Sequence, residues 1–287
     1  MSEKEDIITY IKRAFELSEQ KCYKQAIEML YKAIAIEPDN TEILYQLGEL
    51  YYLLGNYSRA IQYPEQILKT EENNISALIL IMKIYTKQNE LYTAKEYAEK
   101  IYNLDKSEQN LETLINLYGK LSMFEEIGQY SELIDNSEKC IVAYAKICYA
   151  LQRIDEAETC IRKGLELNPE NEYLKILSGK IYFDKNEFDK AKDIFFGFDK
   201  NTQNPEVLNY WGLFAIDEQD FISAIKNFSK AININPENSA YAYNLGNAYY
   251  LNGWYKEAIE TYKKALFIDA DNLDYRYSIA YAYYMYA

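Results

Sequence analysis

Four cysteines, Cys22, Cys140, Cys148 and Cys160, are the candidates in this sequence for thiol or metal chemistry. No two form a Cys-x-x-Cys pair, so neither a zinc ribbon nor a thioredoxin-like couple is present. Cys148 and Cys160 fall on helical faces expected to be buried, which predicts reduced core thiols. The chain has no histidine, which removes Ser-His and Cys-His nucleophiles, an imidazole base and histidine metal ligands. Carboxylate pairs such as Glu71-Glu72 and Glu125-Glu126 fall at helix ends and on solvated faces, where they supply solubility. No Gly-x-Gly-x-x-Gly or Gly-x-x-x-x-Gly-Lys phosphate cradle occurs. Asp269-Ala270-Asp271-Asn272-Leu273-Asp274 has the outline of a calcium loop but lacks the glycine required at its sixth place. The expectation is a non-enzymatic chain with no cofactor and no metal.

The elements that position any functional residue come from 287 residues with 31 basic and 45 acidic side chains, a net charge of −14. Such a surface lacks the basic footprint that nucleic acid and anionic membranes require. Hydrophobic residues at 49% and charged ones at 26% fit an ordered globular chain. No run of about 18 apolar residues occurs, so no membrane span is expected. The charged, amphipathic start MSEKEDIITYIKRAFELSEQ has no apolar core of a signal peptide. A soluble, cytoplasmic and bacterial protein is expected. Tyrosine, at 31 residues, is the unusual count. An AT-rich genome, which favours Ile, Lys, Asn and Tyr together, accounts for part of it.

Ten glycines and five prolines leave room only for short loops. The chain matches itself at a shift of 34: Glu37-Pro38-Asp39-Asn40, Asn168-Pro169-Glu170-Asn171, Asn235-Pro236-Glu237-Asn238 and Asp269-Ala270-Asp271-Asn272 align as helix stop followed by N-cap. Ala26, Ala60, Ala94, Ala157, Ala191, Ala224 and Ala258 keep the same beat. The step from Ala94 to Ala157 falls five residues short of two repeats, so the unit around 108–137 is shortened. Leu44, Leu47, Gly48 and Tyr51, like Leu208, Trp211, Gly212 and Ala215, recur with helical period. Gly48, Gly179, Gly212 and Gly246 are expected to face Ala60, Ala191, Ala224 and Ala258 on the following helix. Phe195, Phe228 and Tyr262 would then fill the gap towards the next unit.

Leu245-Gly246, Tyr249, Ala258, Tyr262, Ala265 and Ala270 resemble the tetratricopeptide repeat pattern, with Ala replacing its final Pro. The resemblance implies an all-α, right-handed superhelical solenoid of antiparallel helix pairs, continuous over residues 1–287. Its eight units begin near 7, 41, 75, 108, 138, 172, 205 and 239, and a lone helix runs over 273–287. Two units depart from the pattern: Ile127 replaces the alanine, and Pro64 stands where the aromatic belongs. Pro64 lies inside a second helix and costs it a backbone donor, which predicts a kink there.

In this family the first helices line a concave groove, reached from the second, fifth, ninth and twelfth places of each unit. Those places give Tyr45, Tyr52, Lys139, Tyr149, Phe183, Asn209, Tyr243 and Tyr250, and also Tyr173, Tyr277, Tyr281 and Tyr284. Tyr51, Tyr85, Tyr118, Tyr182 and Tyr249 are packing aromatics by the same pattern, whereas Tyr45, Tyr52, Tyr243 and Tyr250 are not demanded by it. Ninth places carry Lys83, Asn116, Lys146, Lys180 and Asn247, so a positive stripe in mid-groove is expected to receive an acidic partner segment. The family's two-carboxylate clamp for chaperone tails cannot be threaded through any three consecutive units. The aromatic helix over 275–287 suggests self-association or a longer parent chain. The function expected is a scaffold for another protein or peptide. The alternative is the repeat region of a larger bacterial enzyme of glycosyltransferase or methyltransferase type, since a secretion-type chaperone of this family would be shorter.

Overall fold

In the computed structural model, residues 3–287 are described, with side chains from residue 6. Residues 1 and 2 of the span assigned from sequence lie outside the described residues. Every regular element among the described residues is an α-helix. The chain divides into two compact units, 1–163 and 164–287.

The first unit begins with α1 (Glu3–Glu19) and α2 (Tyr23–Ile34), then α3 (Thr41–Leu53), α4 (Tyr57–Ala60) and α5 (Gln62–Thr70). It continues with α6 (Ile75–Lys87), α7 (Leu91–Leu104), α8 (Glu108–Lys120), α9 (Phe124–Gly128), α10 (Ser131–Asp135), α11 (Glu138–Ala150) and the start of α12 (Ile154–Leu167). The second unit holds α13 (Glu172–Asp184), α14 (Phe188–Phe196), α15 (Pro205–Asp217) and α16 (Phe221–Ile234). It closes with α17 (Ser239–Leu251), α18 (Tyr255–Ile268) and α19 (Leu273–Tyr286). Each unit is a stack of antiparallel helix pairs, because a single pair cannot bury its own apolar face.

The aligned turns work as the spacing predicts. Asn40, Asn171, Asn238 and Asn272 each accept a backbone N–H of the helix they start, and Asn74 and Asn204 do the same. Side-chain oxygens at these positions satisfy donors that the first helical turn leaves unpaired. Ala26, Ala60, Ala94, Ala157, Ala191, Ala224 and Ala258 are fully buried, and so is Ile127 at the equivalent place. The shortened unit has α9 and α10 in place of a full second helix. There α8 packs directly on α11, and a Cβ on Gly119 would meet the Ile147 side chain at 2.5 Å. At Pro64 the second helix is interrupted at Ile61, dividing α4 from α5, although Ile61 keeps helical dihedrals (φ −71°, ψ −28°). The break is local, as expected of a missing N–H at residue 64.

Gly48 faces Ala60, whose carbonyl lies 3.2 Å from where a Cβ would stand. Cβ atoms on Gly179, Gly212 and Gly246 would first meet Phe195, Phe228 and Tyr262 at 2.5–2.6 Å. Each ring lies over its glycine, and Phe195 also stacks on Tyr210 of the next pair with centroids 4.2 Å apart. Pro64 fills that place over Gly48, its Cδ 3.2 Å from the same point, which explains how proline substitutes for the aromatic.

Each turn within a pair passes through a left-handed residue: Lys21, Gly55, Asn89, Ser122, Gln152, Asn186, Gln219 and Gly253 all have φ between 57° and 80°. Only Gly55 and Gly253 adopt it without a Cβ penalty. Gln219→Gly should therefore raise stability by up to about 1 kcal/mol. Urea denaturation checks it, and a lowered midpoint would contradict it.

Candidate peptide-binding faces

The sequence-assigned residues divide between the two units. In the first, Lys83 on α6 and Lys146 on α11 are exposed. Lys139 is exposed too, with its ammonium 3.7 Å from Glu108. Asn116 donates its amide to the Glu112 carbonyl one turn back at 2.9 Å. Tyr149 is half-buried. Tyr45 and Tyr52 are also half-buried and pack on the apolar core of α1–α3 and α5. Burial, then the Glu49 carboxylate, push the Tyr45 hydroxyl up. These two rings contribute to packing after all, and only their outer edges reach solvent.

In the second unit Lys180 is half-buried, with Glu206 of the next pair at 3.4 Å, so much of its charge is already met. Phe183 sits among Phe188, Tyr210 and Phe214, ring centroids 5.1–5.8 Å away, half-buried against the core. Asn209 accepts from the Asn244 amide at 2.8 Å, one first helix to the next. Tyr243 lies 4.9 Å from Tyr275 and 5.6 Å from Tyr262, and its hydroxyl accepts from Ser278 at 3.3 Å. It is half-buried between these two rings.

Asn247 and Tyr250 are different. Together with Tyr277, Tyr281 and Tyr284 on α19 they line one open hollow of about 590 Å³ between the first helices α17 and α19. The Tyr262 hydroxyl, pushed up by burial, donates to Asn247 Oδ1 at 2.7 Å on one side of it. Tyr250 and Tyr281 stand 5.7 Å apart, and Tyr281 and Tyr284 6.4 Å, forming a row of three rings. Tyr277 is 73% and Tyr284 77% exposed, values that only a solvated surface gives. Chemically the hollow offers aromatic faces, hydroxyls and one amide, and no charged group lines it.

Two features went unread in the sequence. Phe267, on the last turn of α18, is 90% exposed beside a second hollow of about 640 Å³ lined by Ile232, Pro236, Lys263, Lys264 and Ile268. Its signal was an aromatic outside the repeat's apolar offsets. Tyr31, Tyr51 and Tyr63 join hydroxyl to hydroxyl at 2.8–2.9 Å, and Arg59 donates to Tyr51 at 3.2 Å. That cluster braces α2, α3 and α5 and has no local sequence signature. Cys140, Cys148 and Cys160 are buried and no disulfide forms among the four cysteines. Burial pushes Cys140 up, and the bond between Cys148 and Cys160 lowers Cys148 and raises Cys160.

Tetratricopeptide repeat family models match residues 17–75, 215–281 and 138–171, more than half of the chain. The chain is a tetratricopeptide repeat protein. It is 27% identical over 230 residues to a TPR repeat-containing protein of Methanocaldococcus jannaschii, covering 77% of this chain and 37% of that one. It is 23% identical over 260 residues to a BBSome complex member BBS4 homolog of Drosophila melanogaster, covering 82% and 52%. The TPR chain thus spans from about a third to about half of these relatives' lengths. A tetratricopeptide repeat protein from Parabacteroides merdae superposes with a TM-score of 0.60 at 17% identity, covering 85% of this chain and 99% of that one. Among the described residues no helix of the TPR chain is long and apolar enough to cross a membrane. No group of three or more Cys, Asp or Glu among them could hold a metal ion.

Proposed function

We propose that this TPR protein is a non-enzymatic scaffold that holds a segment of a partner protein against its first-helix faces. Proteins of the family generally mediate protein–protein interaction. The observation that carries the reading is the tyrosine hollow, a row of three neighbouring rings from two successive first helices, of which Tyr281 and Tyr284 stand in solvent. Tyrosine offers apolar area and a hydroxyl while fixing only two side-chain torsions, so its ordering cost is low. In the first unit the exposed Lys83 and Lys146 suit an acidic stretch of the same or another partner. Lys180 contributes less to that attraction, since Glu206 already meets it.

Affinity capture with the wild-type chain, a Tyr281→Ala/Tyr284→Ala variant and a Phe267→Ala control tests this. The scaffold reading expects the double variant to lose the partner roughly tenfold or more while the control retains it. Equal capture by all three would contradict it. The Lys83→Glu/Lys146→Glu pair should weaken capture in low salt, and unchanged capture would remove the acidic-segment element alone.

The other side of α19 carries Tyr283, Met285 and Tyr286, also exposed. Such a patch favours association of two copies. Sedimentation should show dimers forming as concentration rises, and a strict monomer throughout would refute this.

A further inference from the structure

We propose that two copies of the chain join through α18, the Phe267 ring of each entering the hollow between α16 and α18 of the other. This rests on the reading that two copies associate through the exposed C-terminal surface, and it names the contact that joins them. Phe267 takes no part in the core of its own chain. The buried positions of α18 are Ala258, Ile259, Thr261, Tyr262 and Ala265. At about 100° per residue, Phe267 points about 200° away from Ala265, which puts its ring outside, 90% exposed. An aromatic held in water to this degree forgoes most of the roughly 150–250 Å² of burial that such side chains provide.

A receptor for the ring lies on the same face. The hollow of about 640 Å³ has Ile232 and Pro236 on its α16 side and Ile268 on its α18 side. A cavity of about 150 Å³ already holds a benzene-sized ring, so a phenyl group has room to enter. An aromatic and its receptor on one face satisfy a two-fold contact, in which residue i meets j and j meets i, and which closes at two copies. A foreign segment filling the hollow would leave Phe267 in water, whereas a second copy buries both rings and fills both hollows.

Charge selects the same occupant. Glu237, in the turn between α16 and α17, and Lys264, on α18, line the hollow from its two sides. Both are exposed, and among the described residues neither forms an ion pair. Across a two-fold axis Lys264 of each copy faces Glu237 of the other, so the face is complementary to itself. Chains of net charge −14 repel one another, but at 0.15 M salt that repulsion is screened beyond about 8 Å. The contact is also continuous with α19. Lys263, one turn before Phe267, donates to the Tyr283 hydroxyl at 2.8 Å, next to the exposed Met285 and Tyr286.

Sedimentation equilibrium of the full chain at about 0.15 M salt tests the contact. The wild-type chain is expected to dimerise as concentration rises. Phe267→Ala should weaken the dimer roughly tenfold or more. Tyr92→Ala, which removes a ring 68% exposed on α7, should leave it unchanged. Lys264→Glu and Glu237→Lys should each weaken it, since each sets like charges face to face. An equimolar mixture of these two variants should regain the dimer, because both cross-copy pairs then have opposite signs. All four positions are exposed, and circular dichroism confirms that the variants fold. A dimer unchanged by Phe267→Ala or by the charge reversals, or no recovery in the mixture, would overturn the two-fold contact and leave association through another surface standing. A wild-type chain that stays monomeric would overturn both.

Discussion

Phe228→Ala should destabilise the protein by about 3–5 kcal/mol, the largest single effect expected of a point substitution here. Phe228 is fully buried, and its ring stands 2.5–2.7 Å from the point where Gly212 would carry a Cβ. Truncation opens a cavity between α15 and α16 that the rigid glycine-bearing helix cannot close. The converse change, Gly212→Ala, overpacks the same contact and should cost about 1–3 kcal/mol. Because the two act on one contact, Gly212→Ala/Phe228→Leu should cost less than the sum of its parts. Urea unfolding of the four species measures this coupling, and strict additivity would show that ring and glycine do not touch. The next unit offers a control. There the ring is Tyr262, whose hydroxyl bonds Asn247, so Tyr262→Phe should lose only about 1 kcal/mol.

Raising the pH should unfold the protein steeply above about pH 10, whereas stability should stay nearly level between about pH 6 and 8. The level stretch follows from the absence of histidine. The fall follows from tyrosine. Burial, then the Glu206 carboxylate, push Tyr241 from 10.0 up to about 12. Burial also raises Tyr118, Tyr144 and Tyr262, with Glu99 bonded to Tyr118. Above pH 10 the unfolded chain releases phenolic protons that the folded chain retains, so the folded state binds more protons and loses ground as pH rises. The stabilisation from Tyr241 is complete below pH 10 and gone by about pH 12, on the order of 2 kcal/mol for this buried residue. The Cys140 thiol, raised by burial, begins the decline earlier, from about pH 8.5. Urea midpoints from pH 7 to 12 check the profile, and midpoints constant to pH 11.5 would contradict it.

Much of the fold was legible because its signals are local and repeated. The buried alanines, the Asn caps, the shortened unit and the break before Pro64 each depend on residues within one turn or one pair. The turns inside the pairs were not legible. Six of the eight left-handed positions hold Lys, Asn, Ser or Gln, and only Gly55 and Gly253 announce themselves. Which ring covers which glycine depends on how far a side chain reaches back across its own pair, and spacing does not fix that. The groove was read less well for the same reason. Lys180 meets Glu206 and Asn209 meets Asn244 across neighbouring pairs, contacts 26 and 35 residues apart in sequence. Tyr243 and Phe183 are half-buried because neighbouring rings, Tyr275 and Tyr210 among them, pack on them. Asn247, Tyr250, Tyr277, Tyr281 and Tyr284 line one hollow.

A photo-crosslinking amino acid placed at position 281, compared with one at position 222, tests the central claim most directly. Tyr281 stands on a first helix in the hollow and Ile222 on a second helix, and the two are nearly equally exposed, at 57% and 58%. The scaffold account predicts a crosslinked partner segment from position 281 and none from position 222. Crosslinking from position 222 with none from 281 would contradict it.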